Sequence, residues 1–220
     1  AGSPEDRRYE SFQLLDGEPA GNDIMDGVDT SWSRVPGGAE IDQELAAIIK
    51  KFDLANPAAS VPDLLKLRVK LKSLSVSDIV AKEKAIQLDR ILKNCLGLKT
   101  ETTIVNSDVV PGEPMKMHLS ATLSSKLPDK LVIRWKAVRF PLLKKEINRE
   151  VNLQANESSA FDVTETLPAS TPLTQPYWLR VQGKPGMFHV DEAELIGSAE
   201  NAPPFPVEDI FEIDGQTLVV

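Results

Sequence analysis

The chain has 220 residues, a net charge of -8, 41% hydrophobic residues and 26% charged residues, which is the composition of a globular protein with room for two small domains. Its apolar runs are too short to span a bilayer. The chain has 33 acidic and 25 basic residues, and this acidic balance repels a phosphate backbone. We therefore expect no nucleic-acid partner.

Residues 1–38 are predicted to form an extended leader or linker. The segment is polar and rich in Gly, Asp and Pro, which favour turns over regular elements. It carries scattered apolar residues that we expect to lie on the surface of another domain of a longer protein. These residues are Phe12, Leu14, Leu15, Ile24, Met25, Val28 and Trp32.

Residues 39–98 are predicted to form a helical domain of about three helices. The first begins at Ala39 and has an apolar stripe with helical spacing, and the second spans about 62–74. Ser77 opens the third, in which Cys95 lies on the apolar face and Gly97 occupies the position of a left-handed C-cap. We interpret Cys95 as a small buried apolar group, and a lone Cys with two His does not form a usual structural zinc site.

Residues 99–200 are predicted to form an antiparallel immunoglobulin/fibronectin-like β-sandwich, which makes the chain α+β. Short β-branched runs alternate with Pro and Gly turns at the spacing of a sandwich. Alternation places His118 on a polar strand face. In the run from Val132 to Arg139, it directs Trp135 inward and places Arg139 on the same face as Trp135.

The last segment, residues 201–220, contains an Asp214-Gly215 pair between apolar runs, which is a strong hairpin signal. Because the sequence stops soon after the second run begins, we expect this segment to be the start of a further, truncated β region.

The window 171–197 contains the candidate ligand-binding residues, Tyr177, Trp178, His189 and Asp191. We predict that QPYWL begins a strand, GKPG forms a hairpin turn and MFHVD returns. Tyr177 and Trp178 would then point to opposite faces, with the outward one beside His189 and Asp191. The spacing of His189 and Asp191 suits a metal or a base with its orienting carboxylate, and equally an exposed strand end. With no third His and no Cys pair nearby, we assign no metal ligand and no catalytic residue.

The wider motif search favours a non-catalytic protein. The sequence has no G-x-S-x-G elbow for a serine nucleophile and neither glycine-rich phosphate motif. The aromatic residues could stack on sugar rings, but their spacing does not show that they converge.

Several ordered segments, SWSRVPGG, NPAASVP, VVPGEPM and QPYWLRVQGKPGMFHVDEAELIG among them, resemble the region downstream of the catalytic domain in long bacterial PIG-L (LmbE-like) N-acetylglucosaminyl deacetylases. The resemblance implies a catalytic domain with a zinc motif of the A-H-P-D-D-E type and a later H-x-x-H. Neither motif occurs in this chain, so no catalytic residue is carried over and no cofactor is expected here, with zinc confined to the catalytic domain.

What the resemblance implies is a non-catalytic accessory module that scaffolds the deacetylase or assists glycan binding. Its expected partners are the catalytic deacetylase domain of the same parent chain and carbohydrate, and its expected location is secreted or periplasmic. Two alternatives stay open: a free-standing metal-dependent hydrolase using His189 and Asp191, and a purely structural spacer.

Overall fold

The computed structural model describes residues 13–23, 25–76, 78–129 and 131–220. Within these ranges the chain is mixed α+β, as predicted, with three α-helices followed by antiparallel sheets. The helices are α1 (Ala39–Lys51), α2 (Val61–Leu74) and α3 (Ile79–Leu96). None of the helices in these ranges is long and apolar enough to cross a membrane.

The two ends of α3 follow from its sequence. The Asp78 side chain accepts a hydrogen bond of 2.8 Å from the Ala81 amide and caps the first turn, whereas the predicted opening residue, Ser77, lies outside the described residues. Gly97 ends the helix in the left-handed region at φ 59°, as predicted. A Cβ at Gly97 would also collide with the Ser124 hydroxyl, so the position requires glycine.

The strands form two larger sheets and one separate ribbon. In chain order they are β1 (Leu98–Ile104), β2 (Pro114–Leu123), β3 (Ile133–Phe140), β4 (Lys145–Asn152), β5 (Ser158–Thr166), β6 (Val181–Lys184), β7 (Met187–His189), β8 (Glu208–Ile213) and β9 (Gln216–Val219). The three-stranded sheet has the order β1-β2-β5 and the four-stranded sheet the order β4-β3-β8-β9, while β6 and β7 pair only with each other. All of these strand pairs are antiparallel.

One continuous core joins the helices to both larger sheets. It includes buried leucines of α2 and α3, alternate residues of β2, and the aromatic residues Trp135, Phe140 and Phe211 of the four-stranded sheet. Trp135 is fully buried, as predicted, and packs against Phe161 and Phe211. Cys95 is also buried, in agreement with the prediction.

Strand β3 departs from the alternation that the sequence suggested. A register shift between Trp135 and Ala137 changes which residues face inward. Val138 and Phe140 are therefore fully buried, and Arg139 is exposed beside the glutamates of β4 and β8. The prediction that Arg139 shares the face of Trp135 was wrong, because alternation breaks wherever a bulge inserts a residue.

The Asp214-Gly215 hairpin is confirmed, and it connects β8 to β9. Both turn residues have positive φ, 48° and 73°, as a tight hairpin with right-handed twist requires. Strand β8 pairs with β3 along most of its length, so residues 208–219, which we expected to open a further β region, belong to the four-stranded sheet.

Arg68 of α2 fastens the helices to this sheet. It is only 2% exposed, and its guanidinium donates to Asp89 of α3 at 3.0 Å and to the Thr217 carbonyl of β9 at 2.8 Å. Gln216 completes the contact by accepting from Arg68 at 3.2 Å and donating to the Leu65 carbonyl at 3.0 Å. The ion pair and the edge of β9 therefore form one polar network, in which Arg68 is buried and Asp89 is partly exposed.

The described part of the leader, residues 13–23 and 25–38, consists of turns and one short 3-10 helix at Trp32–Arg34. Trp32 and Val35 pack toward the core, whereas the apolar residues before them are exposed. Phe12 and Ile24 lie outside the described residues. That this leader covers another domain stays a prediction.

Candidate functional site

Tyr177 is a structural anchor within the candidate window. The QPYWL segment forms a short 3-10 helix, Tyr177–Leu179, and the strand begins only at Val181, so the predicted strand start was wrong. Tyr177 is 8% exposed, and its hydroxyl donates to the Ser198 carbonyl at 3.0 Å. The buried phenol thus holds the segment in place, because a buried hydroxyl without a partner would be costly.

Asn201 ties together two loop segments, 171–176 and 200–204. Its side-chain oxygen accepts from the Tyr177 amide at 2.9 Å, and its side-chain nitrogen donates to the Gln175 carbonyl at 2.7 Å. An asparagine side chain can accept and donate at once, so one residue links the two loops that border the space between them.

That space is an open cleft of about 1180 Å³, the larger of two described cavities. We call it the proline cleft, because its walls include Pro172, Pro176, Pro203 and Pro204, with Trp178 and Arg180 also lining it. Proline fixes φ and lacks an amide hydrogen, so these walls are stiff and largely apolar.

Trp178 gives the proline cleft an aromatic surface. It is half-buried, and the Tyr177 ring packs edge-on against it with centroids 4.8 Å apart and planes at 89°. The hydroxyl oxygen of Thr171, another lining residue, is buried and has no hydrogen-bond partner within the described ranges. The cleft therefore offers an aromatic face, whereas the Thr171 hydroxyl oxygen is buried behind its surface.

His189 and Asp191 lie apart from the cleft lining. His189 Nε2 is 2.9 Å from Asp191 Oδ1, and both side chains are more than 60% exposed. A second pair of this kind, His118 with Asp162 at 2.7 Å, lies on the polar face of the three-stranded sheet, where His118 was predicted. In the part of the chain that the structure describes, no three His, Cys, Asp or Glu residues converge as a metal site.

The structure thus divides the four predicted site residues. Trp178 lines the cleft, Tyr177 is buried behind it, and His189 and Asp191 form an exposed pair after β7. Sequence reasoning missed Asn201 and the prolines as parts of a site. The usable signal was the repetition of proline in TPLTQP and NAPP, two segments 25 residues apart in sequence that could form facing walls.

One buried carboxyl, Asp209 of β8, was also missed. It is 5% exposed, and burial raises its pKa to about 6 against smaller opposing effects of Trp135 and Lys93. Neither Asp209 Oδ1 nor Trp135 Nε1 has a partner within hydrogen-bond geometry among the described residues, so the indole offsets the effect of burial on the Asp209 pKa only in part. Asp209 faces the core rather than the cleft, which makes it a determinant of stability.

Comparisons with known proteins give little further guidance. No protein-family model matches the chain, and none of the curated proteins compared with it is significantly similar. Among solved structures, the chain is similar to the Pseudomonas fluorescens alkylpurine DNA glycosylase AlkC bound to DNA containing an abasic site analog. The match has 11% identity and a TM-score of 0.26, and it covers 74% of this chain and 44% of that one. At that score the likeness carries no argument about fold or function.

Proposed function

We propose that the chain is a non-catalytic accessory module of a PIG-L-like deacetylase, which scaffolds the enzyme and binds glycan in the proline cleft. The observation that carries this proposal is the position of the cleft. Gln175, Pro176 and Trp178 of the QPYWL segment line it, and Tyr177 of the same segment anchors it. A segment on which the family resemblance rests therefore lines the cleft that we propose as the binding surface.

The chemistry of the cleft suits a neutral sugar chain. The C–H faces of sugar rings pack on an aromatic surface such as Trp178, and the side-chain amide of Gln175 suits sugar hydroxyls. Arg180 and Glu200 contribute one charge of each sign, which favours no strongly charged ligand. A binding module of this kind needs no metal and no nucleophile.

The remaining parts of the proposal concern architecture and context. The two larger sheets pack through a common core and suit an immunoglobulin/fibronectin-like sandwich, with the helices lying over one edge through Arg68. The partner would be the catalytic deacetylase domain of the same parent chain, and the location would be secreted or periplasmic.

The test is titration of the purified chain with N-acetylglucosamine oligomers by calorimetry. We expect Trp178→Ala to weaken binding about tenfold or more, which corresponds to about 1.4 kcal/mol. Phe188→Ala is the matched control, since Phe188 is an exposed aromatic outside the cleft lining and its loss should leave glycan affinity unchanged. Equal affinity of Trp178→Ala and the parent chain would refute the cleft as the glycan site.

A second measurement separates the accessory role from the hydrolase alternative. Elemental analysis for zinc is run beside a deacetylation assay on the same N-acetylglucosamine substrates. One tightly held zinc per chain with turnover would replace the accessory proposal, and His189→Ala and Asp191→Ala would then be the first variants to make.

A further inference from the structure

The proline cleft contains one negative charge that is not offset by an ion pair. Among the residues that line the cleft, Arg180 and Glu200 carry charges. The Arg180 guanidinium lies 3.4 Å from the carboxylate of Glu192, which is outside the lining, so the positive charge is already partly offset. Glu200 is exposed and has no ion-pair partner in the part of the chain that the structure describes. The unpaired charge of the cleft is therefore a carboxylate.

The fold holds Glu200 beside the segment that carries Trp178. Two hydrogen bonds from Tyr177 flank Glu200 in sequence. The Tyr177 hydroxyl donates to the Ser198 carbonyl at 3.0 Å, and the Tyr177 amide donates to the Asn201 side-chain oxygen at 2.9 Å. Trp178 follows Tyr177 in the chain and lines the same cleft as Glu200. A carboxylate and an indole ring therefore border one open space.

This pair of groups suits a cation that is attached to an apolar body. A carboxylate accepts charge-assisted hydrogen bonds from an ammonium group, and the face of an indole ring also attracts a cation. The net charge of -8 favours a positive ligand over a negative one at longer range. The proline walls add apolar contact area without further charge. The cleft is therefore complementary to a protonated amine that lies next to C–H groups.

Among glycans, an amino sugar with a free amine meets this description. Glucosamine carries a protonated amine in mildly acidic solution, whereas N-acetylglucosamine carries a neutral acetamide at the same carbon. The C–H faces that pack on Trp178 are common to the two sugars, but only the protonated amine forms an ion pair with Glu200. Glu200 would thus distinguish the two sugars, and Trp178 would bind either.

We propose that Glu200 makes the proline cleft selective for glycan units with a free amine over N-acetylated units. The inference rests on the proposed function, because it takes a glycan as the occupant of the cleft. N-acetylated oligomers still bind through Trp178, but more weakly. Hydrolysis of an acetamide produces a free amine, so the module would hold the product of a deacetylase more tightly than its substrate.

The test is calorimetric titration of the purified chain with tetramers of N-acetylglucosamine and of glucosamine, at low salt and about pH 6, where an ordinary amine is protonated. We expect the glucosamine tetramer to bind about tenfold more tightly. Glu200→Gln should reduce that preference to about threefold or less. Glu194→Gln is the matched control, because it removes the same charge from an exposed residue outside the cleft lining and should keep the full preference. Circular dichroism confirms that each variant is folded.

Several outcomes would overturn selectivity at Glu200. These are equal affinity for the two tetramers, a full preference in Glu200→Gln, and an equal loss of preference in Glu194→Gln. Binding of a tetralysine peptide as tight as that of the glucosamine tetramer would also overturn it, since the cleft would then recognise charge without sugar. If the tetramers bind equally and Trp178→Ala weakens both, the selectivity is refuted and the glycan-binding role survives. If neither tetramer binds, both proposals fail.

Discussion

Replacement of Asp209 by asparagine tests how the buried carboxyl affects stability. The folded protein raises the pKa of Asp209 from 3.8 to about 6, so between about pH 4 and pH 6 the folded state binds a proton that the unfolded state has released. Stability therefore falls as the pH rises through that window, and the loss is complete above about pH 6. A shift of about two units corresponds to about 3 kcal/mol at neutral pH.

Asp209→Asn removes this cost because the amide is neutral at every pH. We expect the variant to be more stable than the parent chain by about 1–3 kcal/mol at pH 7.5, with the advantage vanishing near pH 4. The assay is urea denaturation at pH 4 and pH 7.5, with equal m-values for the two proteins. Asp108→Asn serves as a control, since Asp108 is exposed and forms no ion pair among the described residues. A variant with the parent chain's stability at pH 7.5 and the same pH dependence would refute a buried, destabilising carboxylate.

Two further variants test the contacts that hold the helices and the cleft. Arg68→Ala leaves the Asp89 carboxylate without its buried partner. Urea denaturation should show a free energy of unfolding lower by about 3–5 kcal/mol. A loss under about 1 kcal/mol would show that this network does not hold the helices to the sheet. Tyr177→Phe removes one buried hydrogen bond and should lower the free energy of unfolding by about 1 kcal/mol, measured by thermal denaturation. It should weaken glycan binding less than Trp178→Ala does. Unchanged stability would contradict the anchoring role of Tyr177.

The helices were predictable because their signals are local. A stripe of apolar residues at helical spacing indicates a helix wherever its partner surface lies, and Gly97 marks the end of α3 by its own backbone preference. The Asp214-Gly215 hairpin was likewise predictable from its two turn residues. Burial of Trp135 followed from the alternation of side chains along β3, which holds up to that residue.

The errors arose where distant segments decide the structure. The register shift after Trp135 depends on pairing with both β4 and β8, which no local pattern in β3 encodes. The 3-10 turn at Tyr177 depends on a carbonyl at Ser198 and an amide at Asn201, both more than 20 residues away. In both places the local alternation was compatible with a regular strand, and long-range hydrogen bonds selected another conformation.

The same reasoning explains why the residues of the cleft differ from the site residues that the sequence predicted. Sequence spacing drew attention to His189 and Asp191 because imidazole and carboxylate groups carry reactive chemistry. Each is exposed, however, and among the described residues no third His, Cys, Asp or Glu joins the pair to form a metal site. Asn201 has little intrinsic reactivity, but it locks two proline-bearing loops around Trp178 through two short hydrogen bonds. Binding depends on the shape of a site as well as on its reactive groups, so the place to test for a ligand shifts from the exposed His189–Asp191 pair to the cleft beside Trp178.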